Sequence, residues 1–381
     1  MMKYPLLPYS QLVWDISRWM PGVYRFPITL RWKGGAKEKD RIDQAIRLAL
    51  AHHPVFSMQV DWKGMHYPSK LQDILHGEYH RFSLSEDGGD VLIRIEMSRI
   101  LGDERSMAIL VGDIERAYKG LLLESDCYWD YVACYEQQKM EAHYANSREW
   151  LMRKFADESV PVRPIIDRRW INTLLPPKVG IFMDEYTALQ EKIERFQNKQ
   201  FISYEGIFSL CTVLAIAEYC GSEEAALTWA YEGRDRPEEQ RIYGSLHRDV
   251  PFKISRKSKV ESQKPASREE LIHETRNQIR SGIAHSDYPY TLTAPFTKRW
   301  NYAVNVLRVA DVEDMLRNIS LPIEIVSIPE QKYAYALLDI EIHEKAESLQ
   351  LVYRYSATHY KLESIRRFAA LVRKYVEWLI D

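Results

Sequence analysis

The sequence predicts an α/β fold divided into two lobes of similar build. A strand-like run at residues 91–97 is followed directly by a helix-like run at residues 106–118, and strands and helices alternate along the rest of the chain. The 381 residues are enough for two sizeable hydrophobic cores. Prolines within residues 163–177 interrupt the regular pattern. We therefore predict lobes of residues 1–160 and 161–381, with the crossing inside the interruption.

The elements follow in chain order from two periodicities. Apolar residues spaced three and four apart predict helices, and alternating or β-rich runs predict strands. The predicted helices are 42–51, 106–118, 128–154, 187–198, 204–219, 267–280 and 362–379, and the predicted strands are 56–62, 91–97, 225–231 and 349–355. Pro54 marks the end of the first helix, and Ser267 with Glu270 forms a capping-box pattern at the start of the sixth. Each lobe is therefore expected to hold a mixed sheet with flanking helices.

The composition excludes several classes of protein. Its 52 basic and 54 acidic residues nearly balance, with no basic block for nucleic acid and no charged block typical of a disordered tail. The cysteines at positions 127, 134, 211 and 220 lack zinc-ligand spacing. Charges interrupt the apolar stretches before the roughly 20 residues that a membrane span needs. With no visible signal peptide, we predict a soluble cytoplasmic monomer without a metal or a tightly bound cofactor.

Residues 98–104, Ser-Arg-Ile-Leu-Gly-Asp-Glu, form a polar loop between the predicted strand and the predicted helix. A strand, a tight loop and a helix form a common place for an active site. The loop resembles the His-His-x-x-x-Asp-Gly loop of condensation domains from nonribosomal peptide synthetases. Asp103 matches the Asp of that pattern, whereas Ser98 and Arg99 stand at the two histidines and Glu104 stands at the glycine.

Further segments resemble the same family in the same order along the chain. They are residues 7–14, 49–56, 128–133, 233–238, 243–253, 285–290 and 349–356. For example, Gly233-Arg-Asp-Arg-Pro-Glu238 resembles Gly-Arg-x-Arg-Pro-Glu, and His285-Ser-Asp-Tyr-Pro-Tyr290 resembles His-Gln-Asp-Tyr-Pro-Phe. The resemblance implies two chloramphenicol-acetyltransferase-like lobes in a V, with a tunnel between them.

Arg99 decides what chemistry the loop retains. The resemblance implies that the family's second histidine orients the attacking amine, accepts a proton or stabilises the tetrahedral intermediate. A guanidinium stays protonated, so Arg99 cannot accept that proton. It could instead donate hydrogen bonds to an oxyanion or to a pantetheine phosphate. The alternative is that it pairs with Glu104 or Asp103 and plugs the tunnel.

Ser98 could act as a nucleophile only beside a base. His247 and His285 lie in segments that the resemblance places around the tunnel, so a Ser–His pairing stays open, and both are candidate substrate-binding residues. The adjacent His52 and His53 end a predicted helix and have no Asp-Gly after them. We predict a structural role for that pair.

The resemblance implies a structural role for Asp103. In the family, this Asp makes an ion pair with the Arg that ends the Val-Asn-Thr-Leu-Pro-Leu-Arg strand. Lys253 occupies that Arg position, so we predict an Asp103–Lys253 pair, weakened because an ammonium is a point charge rather than a fork. Arg248 occupies the Asn position and would add to the positive charge of Arg99, which could attract an anionic substrate or a phosphate. The alternative is a surface position beside the acidic residues 238–239.

Two functions of different class follow from the resemblance. The first is acyl transfer, which joins an acyl or aminoacyl thioester of a carrier protein or coenzyme A to an amine or alcohol, and proximity alone supplies part of the rate. The second is a docking module without catalysis, which binds carrier proteins or recruits a tailoring enzyme. The recruiting domains of glycopeptide synthetases resemble this chain at Arg99 and Glu104. The fit to the whole family favours the first function as the process, whereas Arg99 and Glu104 favour the second as the mechanism. We predict little condensation activity if Arg99 pairs with a carboxylate, and Glu104, Arg248 and Lys253 are candidate substrate contacts.

Overall fold

The computed structural model describes residues 3–20, 22–168, 177–258, 264–292, 303–309, 316, 318–328, 334, 336–345 and 347–381. The chain forms two compact units, each made of several stretches of sequence. The first comprises Met1–Met140, Glu232–His247 and Ala310–Glu330, and the second comprises Glu141–Tyr231, Arg248–Val309 and Gln331–Asp381. The predicted lobes are continuous in sequence, and that division stays a prediction, as do the V shape and the tunnel.

The described residues form the following strands and helices. The strands are β1 (Tyr4–Pro5), β2 (Arg25–Trp32), β3 (Met58–Val60), β4 (Met65–Pro68), β5 (His80–Asp87), β6 (Asp90–Ser98), β7 (Val179–Glu185), β8 (Glu224–Tyr231), β9 (Arg248–Ser255), β10 (Asn305–Val309), β11 (Ile323–Ser327), β12 (Leu338–Lys345) and β13 (Ser348–Ser356). The helices are α1 (Pro8–Trp19), α2 (Lys39–His52), α3 (Glu104–Tyr118), α4 (Tyr128–Gln138), α5 (Ala142–Phe155), α6 (Gln190–Gln200), α7 (Tyr204–Tyr219), α8 (Arg268–Ala284) and α9 (Leu362–Ile380).

The first unit is built on a four-stranded sheet in the order β11-β2-β6-β5, whose described pairs are antiparallel. A small sheet in the order β1-β4-β3 lies in the same unit. Alternate residues of β6 are buried, namely Val91, Ile93, Ile95 and Met97, as the alternation in the sequence predicted. The helices α2 and α3 pack against each other. Because β6 leads through residues 99–103 into α3, the candidate loop lies where this sheet meets this helix layer.

The second unit is built on a six-stranded mixed sheet in the order β7-β13-β12-β10-β8-β9. β10 runs parallel to both β12 and β8, and the other described pairs are antiparallel. α7 packs against α9 and β8, and nearly all of its side chains are buried. A helix that is apolar on all sides belongs in the centre of a core, which is the position of α7. The predicted α/β class is confirmed.

Two of the predicted elements are wrong in their extent. The single helix predicted over residues 128–154 is two helices, α4 and α5, and the chain passes from the first unit to the second between Met140 and Glu141. The apolar spacing continues through this break, so periodicity alone joins the two helices. The strand predicted over residues 56–62 is a 3-10 turn at Pro54–Ser57 followed by the short β3. Proline fixes the first turn residue, which favours the turn over an extended strand.

Other predictions concern the crossing and the membrane. The crossing predicted within residues 163–177 includes residues 169–176, which lie outside the described residues. In the described part of the chain, no single helix has both the length and the apolar character to cross a bilayer. One bent helix pair, residues 187–200 with 204–219, meets that standard on length and composition only.

The capping box predicted at residues 267–270 is confirmed and leads to a stability prediction. Ser267 Oγ accepts a hydrogen bond from the Glu270 amide at 3.2 Å, and Glu270 Oε2 accepts one from the Ser267 amide at 2.8 Å. We expect Ser267→Ala to lower the free energy of unfolding by about 1 kcal/mol, because the first turn of α8 loses its acceptor. Chemical denaturation measures this, with Ser267→Asp as the control that retains an acceptor. Equal losses in both variants would contradict the cap.

Candidate functional site

The loop between β6 and α3 is held by a cap at the start of α3. Asp103 Oδ1 accepts hydrogen bonds from the amide of Ser106 at 2.9 Å and from its hydroxyl at 2.8 Å, and the Asp103 amide donates to Ser106 Oγ at 3.3 Å. A side chain at Gly102 would approach Ser106 Cβ at 2.8 Å and Tyr243 at 2.9 Å, so only glycine fits there. The cap and the close contacts at Gly102 therefore hold the end of the loop against the start of α3.

Asp103 is bound by Arg234 in a buried, two-pronged ion pair. Arg234 Nη1 lies 2.8 Å from Asp103 Oδ2, and Nη2 lies 3.0 Å from Oδ1. The two side chains are 1% and 5% exposed, respectively. Burial would raise the pKa of Asp103, but the charge and hydrogen bonds of Arg234 outweigh it and hold that pKa below its ordinary value. The carboxylate therefore stays ionised and joins α3 to residues 232–247. These residues lie between β8 and β9 in sequence, and we call them the inserted segment.

The predicted Asp103–Lys253 pair is therefore wrong, because the cation bound to Asp103 is Arg234. Lys253 Nζ instead lies 3.5 Å from Glu224. A guanidinium matches a carboxylate with two parallel bonds, which an ammonium cannot do. The error came from placing the cation by its strand position on β9. The Gly233-Arg-Asp-Arg-Pro motif, which contains Arg234, was the signal in the sequence that could have identified it.

Arg99 and Glu104 form the ion pair that the sequence predicted as one alternative. Arg99 Nη2 lies 2.5 Å from Glu104 Oε1, with side chains 19% and 31% exposed. The guanidinium also lies over the Phe26 ring, 5.9 Å from its centroid. Burial raises the pKa of Glu104, but the charge of Arg99 outweighs it, so this pKa lies below its ordinary value. The position of the family's second histidine is therefore occupied by a cation paired with an anion.

Two further candidates of the first unit are Ser98, which lies in the loop, and His247, which lies at the end of the inserted segment. Ser98 is buried, and its Oγ accepts a hydrogen bond from the Ile100 amide at 3.3 Å. The His247 ring packs edge-on against Tyr9, with 3.7 Å between centroids, and its charge lowers the pKa of both loop carboxylates. The adjacent Leu246 donates its amide to Asp103 Oδ2 at 3.3 Å. The structure thus brings His247, which was a candidate from the sequence, next to the loop.

The remaining candidates, Arg248, Lys253 and His285, belong to the second unit. Arg248 Nη1 donates to Ser286 Oγ at 2.9 Å. His285 stacks on Trp150 with 4.4 Å between ring centroids, and its Nδ1 lies 3.2 Å from a buried serine hydroxyl at position 147. Burial lowers the pKa of His285. The roles predicted for these three residues in substrate binding stay predictions. Within the described ranges, no group of three or more His, Cys, Asp and Glu side chains is placed to hold a metal ion.

Comparisons with known proteins agree with this geometry. A family model described as Condensation domain matches residues 81–381. None of the curated proteins matches the sequence significantly. Three solved structures illustrate the likeness in fold. The SgcC5 protein from Streptomyces globisporus is 13% identical, with a TM-score of 0.75 over 99% of this chain and 98% of that one.

The other two solved structures come from teicoplanin biosynthesis and from a rhizomide synthetase. The X-domain of teicoplanin biosynthesis, in complex with OxyB, is 13% identical, with a TM-score of 0.77 over 100% of this chain and 93% of that one. The starter condensation domain of the rhizomide synthetase RzmA, a mutant in complex with C8-CoA, is 12% identical, with a TM-score of 0.73 over 100% and 94%.

Identities of this size establish the fold alone, whereas the family model covers most of the sequence. The matched range contains β6, the loop, α3, the inserted segment and the whole second unit. Together with the strand–loop–helix site and its clamped Asp, this match shows that the chain belongs to the condensation domain family.

Proposed function

We propose that this condensation-family protein is a docking module of nonribosomal peptide or acyl-conjugate biosynthesis, which binds the pantetheine thioester of a carrier protein without condensing it. The observation that supports this most directly is the Arg99–Glu104 ion pair in the loop. A permanently protonated side chain stands where the family has its histidine, and its carboxylate partner is held ionised. The proposal keeps the cytoplasmic location and the monomeric state predicted from the sequence.

The rest of the loop supports binding better than proton transfer. Asp103 is fully engaged by Arg234 and by the cap of α3, and the Ser98 hydroxyl faces the backbone of its own loop. Neither is positioned to accept a proton from an amine. The Asp103–Arg234 ion pair is buried, and burying two charges costs desolvation energy. We take this as support for a loop whose shape is kept for recognition. Arg99 supplies a cation that can bind a pantetheine phosphate.

The molecules bound in two solved structures of similar fold support this proposal. The X-domain from teicoplanin biosynthesis was solved with OxyB, and the rhizomide starter domain was solved with C8-CoA. A carrier protein and a recruited enzyme are therefore the two macromolecules to test, and the acyl thioester of coenzyme A is the small probe. No tightly bound cofactor is part of the proposal.

The second candidate is acyl transfer, and one specific observation favours it. His247 places an imidazole near the loop carboxylates, and the neutral form of an imidazole can accept a proton. In this reaction the amine nitrogen attacks the thioester carbonyl while His247 takes the proton from nitrogen. The C–S bond then breaks, and the thiolate leaves with the proton that the imidazolium returns. Holding both substrates together would supply part of the rate.

One assay separates the two candidates. Product formation from an acyl thioester mimic and an amine is measured for the wild type and for Arg99→Ala, His247→Gln and the double variant Arg99→His/Glu104→Gly. We expect wild-type turnover equal to the uncatalysed reaction. In the double variant, removal of the ion pair opens the loop and restores a group that titrates near pH 7, so we expect turnover to appear there.

Binding is measured in parallel by calorimetry with C8-CoA. We expect the wild type to bind and Arg99→Ala to bind more weakly. The matched control is Arg25→Ala, which removes the same side chain from an exposed pair with Glu96 at 3.8 Å. Robust wild-type turnover that Arg99→Ala abolishes would overturn the docking proposal and make Arg99 an electrostatic catalyst. Robust turnover that His247→Gln abolishes would overturn it in favour of the imidazole base.

A further inference from the structure

His53 is buried between two carboxylates in the first unit. Its side chain is 1% exposed and follows the last turn of α2. Its Nδ1 lies 2.8 Å from Asp126 Oδ2, and its Nε2 lies 3.2 Å from Asp113 Oδ2. The first contact is a hydrogen bond, whereas the second lacks hydrogen-bond alignment and is a contact between charges. An imidazole in contact with carboxylates on both sides is best satisfied as the imidazolium, because only that form has two N–H groups.

The same two carboxylates hold the inserted segment. Asp113 Oδ1 accepts from Arg241 Nη2 at 2.8 Å, and Asp126 Oδ2 accepts from the amide of Tyr243 at 3.2 Å. Both Arg241 and Tyr243 belong to residues 232–247. His53 therefore lies at a joint between α2, α3, the stretch before α4 and the inserted segment. That segment also contains Arg234 and so supports the candidate loop through Asp103.

Several other groups face His53 from the elements packed around it. The His52 and Phe56 rings lie 5.5 Å and 6.4 Å from the His53 ring, and the Tyr243 ring lies 5.0 Å from it. Burial raises the pKa of Tyr243 well above its ordinary value, so this ring stays neutral. Behind Asp113, the Arg241 Nε lies 3.1 Å from Glu124 Oε2 at the more exposed edge of the cluster.

The charges of this cluster balance only while His53 is protonated. Two buried carboxylates, Asp113 and Asp126, then face the His53 imidazolium and the Arg241 guanidinium, and at the exposed edge Glu124 is also paired with Arg116, whose Nη1 lies 3.7 Å from Glu124 Oε1. Loss of the proton leaves one uncompensated negative charge in a buried site, which is costly. It also leaves a single N–H for two carboxylates, so one of the contacts loses its donor.

We propose that His53 is a pH-sensitive latch for the inserted segment: the imidazolium fastens residues 232–247 to α2 and α3, and the fastening weakens when the proton leaves. The inference is independent of the ligand and of any catalysis. Since the inserted segment positions Arg234 against Asp103, the latch makes the order of the candidate loop depend on pH.

The pH range over which the latch is fastened follows from the pKa of the His53 imidazole and that of the Asp113 carboxyl group. Burial lowers the pKa of His53, but the contacts with Asp113 and Asp126 raise it by more, so it lies above the ordinary 6.5. The fastening is fully present below pH 6.5 and is lost as the pH rises through the higher pKa of the latched state. Burial raises the pKa of Asp113, but His53 and Arg241 bring it below the ordinary 3.8, so acid weakens the contacts of Asp113 only below that pH. The latch is therefore tightest between roughly pH 4 and pH 6.5.

Hydrogen exchange of the intact protein tests this inference. Protection of the amides of residues 238–244 is measured from pH 5.5 to pH 9 and corrected for intrinsic exchange. We expect wild-type protection to fall with rising pH. The fall should be about tenfold for each unit by which the pKa of His53 in the latched state exceeds its pKa when the segment is released. In His53→Gln, which does not titrate, we expect low protection that does not change with pH. The matched control, His76→Gln, alters an exposed histidine of the same unit and is expected to behave as the wild type.

A second variant covers the case in which His53→Gln does not fold. Arg241→Gln removes the other cation of the cluster, so the negative field on His53 increases and its pKa rises further. We expect the fall in protection to move to higher pH in that variant. A midpoint that stays in place, or wild-type protection that does not change with pH, would overturn the inference.

Discussion

We expect Asp103→Asn to lower the free energy of unfolding by about 3–5 kcal/mol, because it strands the buried guanidinium of Arg234. Both bonds of the pair lie at or below 3.0 Å, and the pair is almost fully excluded from water. The substitution also weakens the α3 cap, since an amide oxygen is a poorer acceptor than a carboxylate for the Ser106 amide. Urea unfolding monitored by circular dichroism measures the loss.

A double-mutant cycle separates a stranded charge from a lost cap. Arg234→Met alone leaves the carboxylate buried without its cation, whereas Asp103→Asn with Arg234→Met leaves neither charge. We therefore expect the double variant to cost less than the sum of the single variants. The control is Asp87→Asn at the exposed pair with Arg31, for which we expect a change of about 0.5 kcal/mol or less. Additive losses at Asp103 and Arg234 would contradict a coupled buried pair.

Tyr243→Ala is expected to lower the free energy of unfolding by about 3–5 kcal/mol, because it opens a cavity under the inserted segment. The Tyr243 ring is fully buried, and its centroid lies 5.0 Å from that of His53 and 4.8 Å from that of Phe56. It also limits the space beside Gly102 in the candidate loop. Loss of the ring is therefore expected to reduce the order of the loop as well as stability, which hydrogen exchange of residues 98–104 measures.

Tyr243→Phe is the matched control for that prediction. It keeps the ring and removes a hydroxyl whose neighbours are the sulfur atoms of Met97 and Met107, which are weak acceptors. We expect a loss of about 1 kcal/mol or less. If Tyr243→Ala and Tyr243→Phe cost the same, the ring does not anchor the inserted segment, and the packing argument fails.

Features formed by neighbours in sequence were predicted well. The Arg99–Glu104 pair joins residues five positions apart on either side of a tight loop, so the sequence alone placed the two charges together. The capping box at Ser267 and the buried face of β6 are equally local. The order of motifs along the chain supported the family, which the family model then matched over residues 81–381.

Features formed by distant parts of the chain were not predicted. One helix was predicted over residues 128–154, but the structure has two helices there, and the chain passes from one unit to the other at residues 140–141. The spacing of apolar residues gives no sign of that change. His53 was assigned a structural role without its partners, because Asp126 lies 73 residues away in sequence. Its neighbours in the chain give no sign that two carboxylates enclose it.

The sequence by itself determined the α/β class, the family, and the loss of a proton acceptor from residues 98–99. Only the tertiary structure decided which cation holds Asp103, because Arg234 lies 131 residues away and reaches it through a segment inserted between two strands of the other unit. Charge pairing in a buried site depends on which side chains are desolvated together. That depends on how the chain folds back on itself, and residue order along one strand or helix does not specify it.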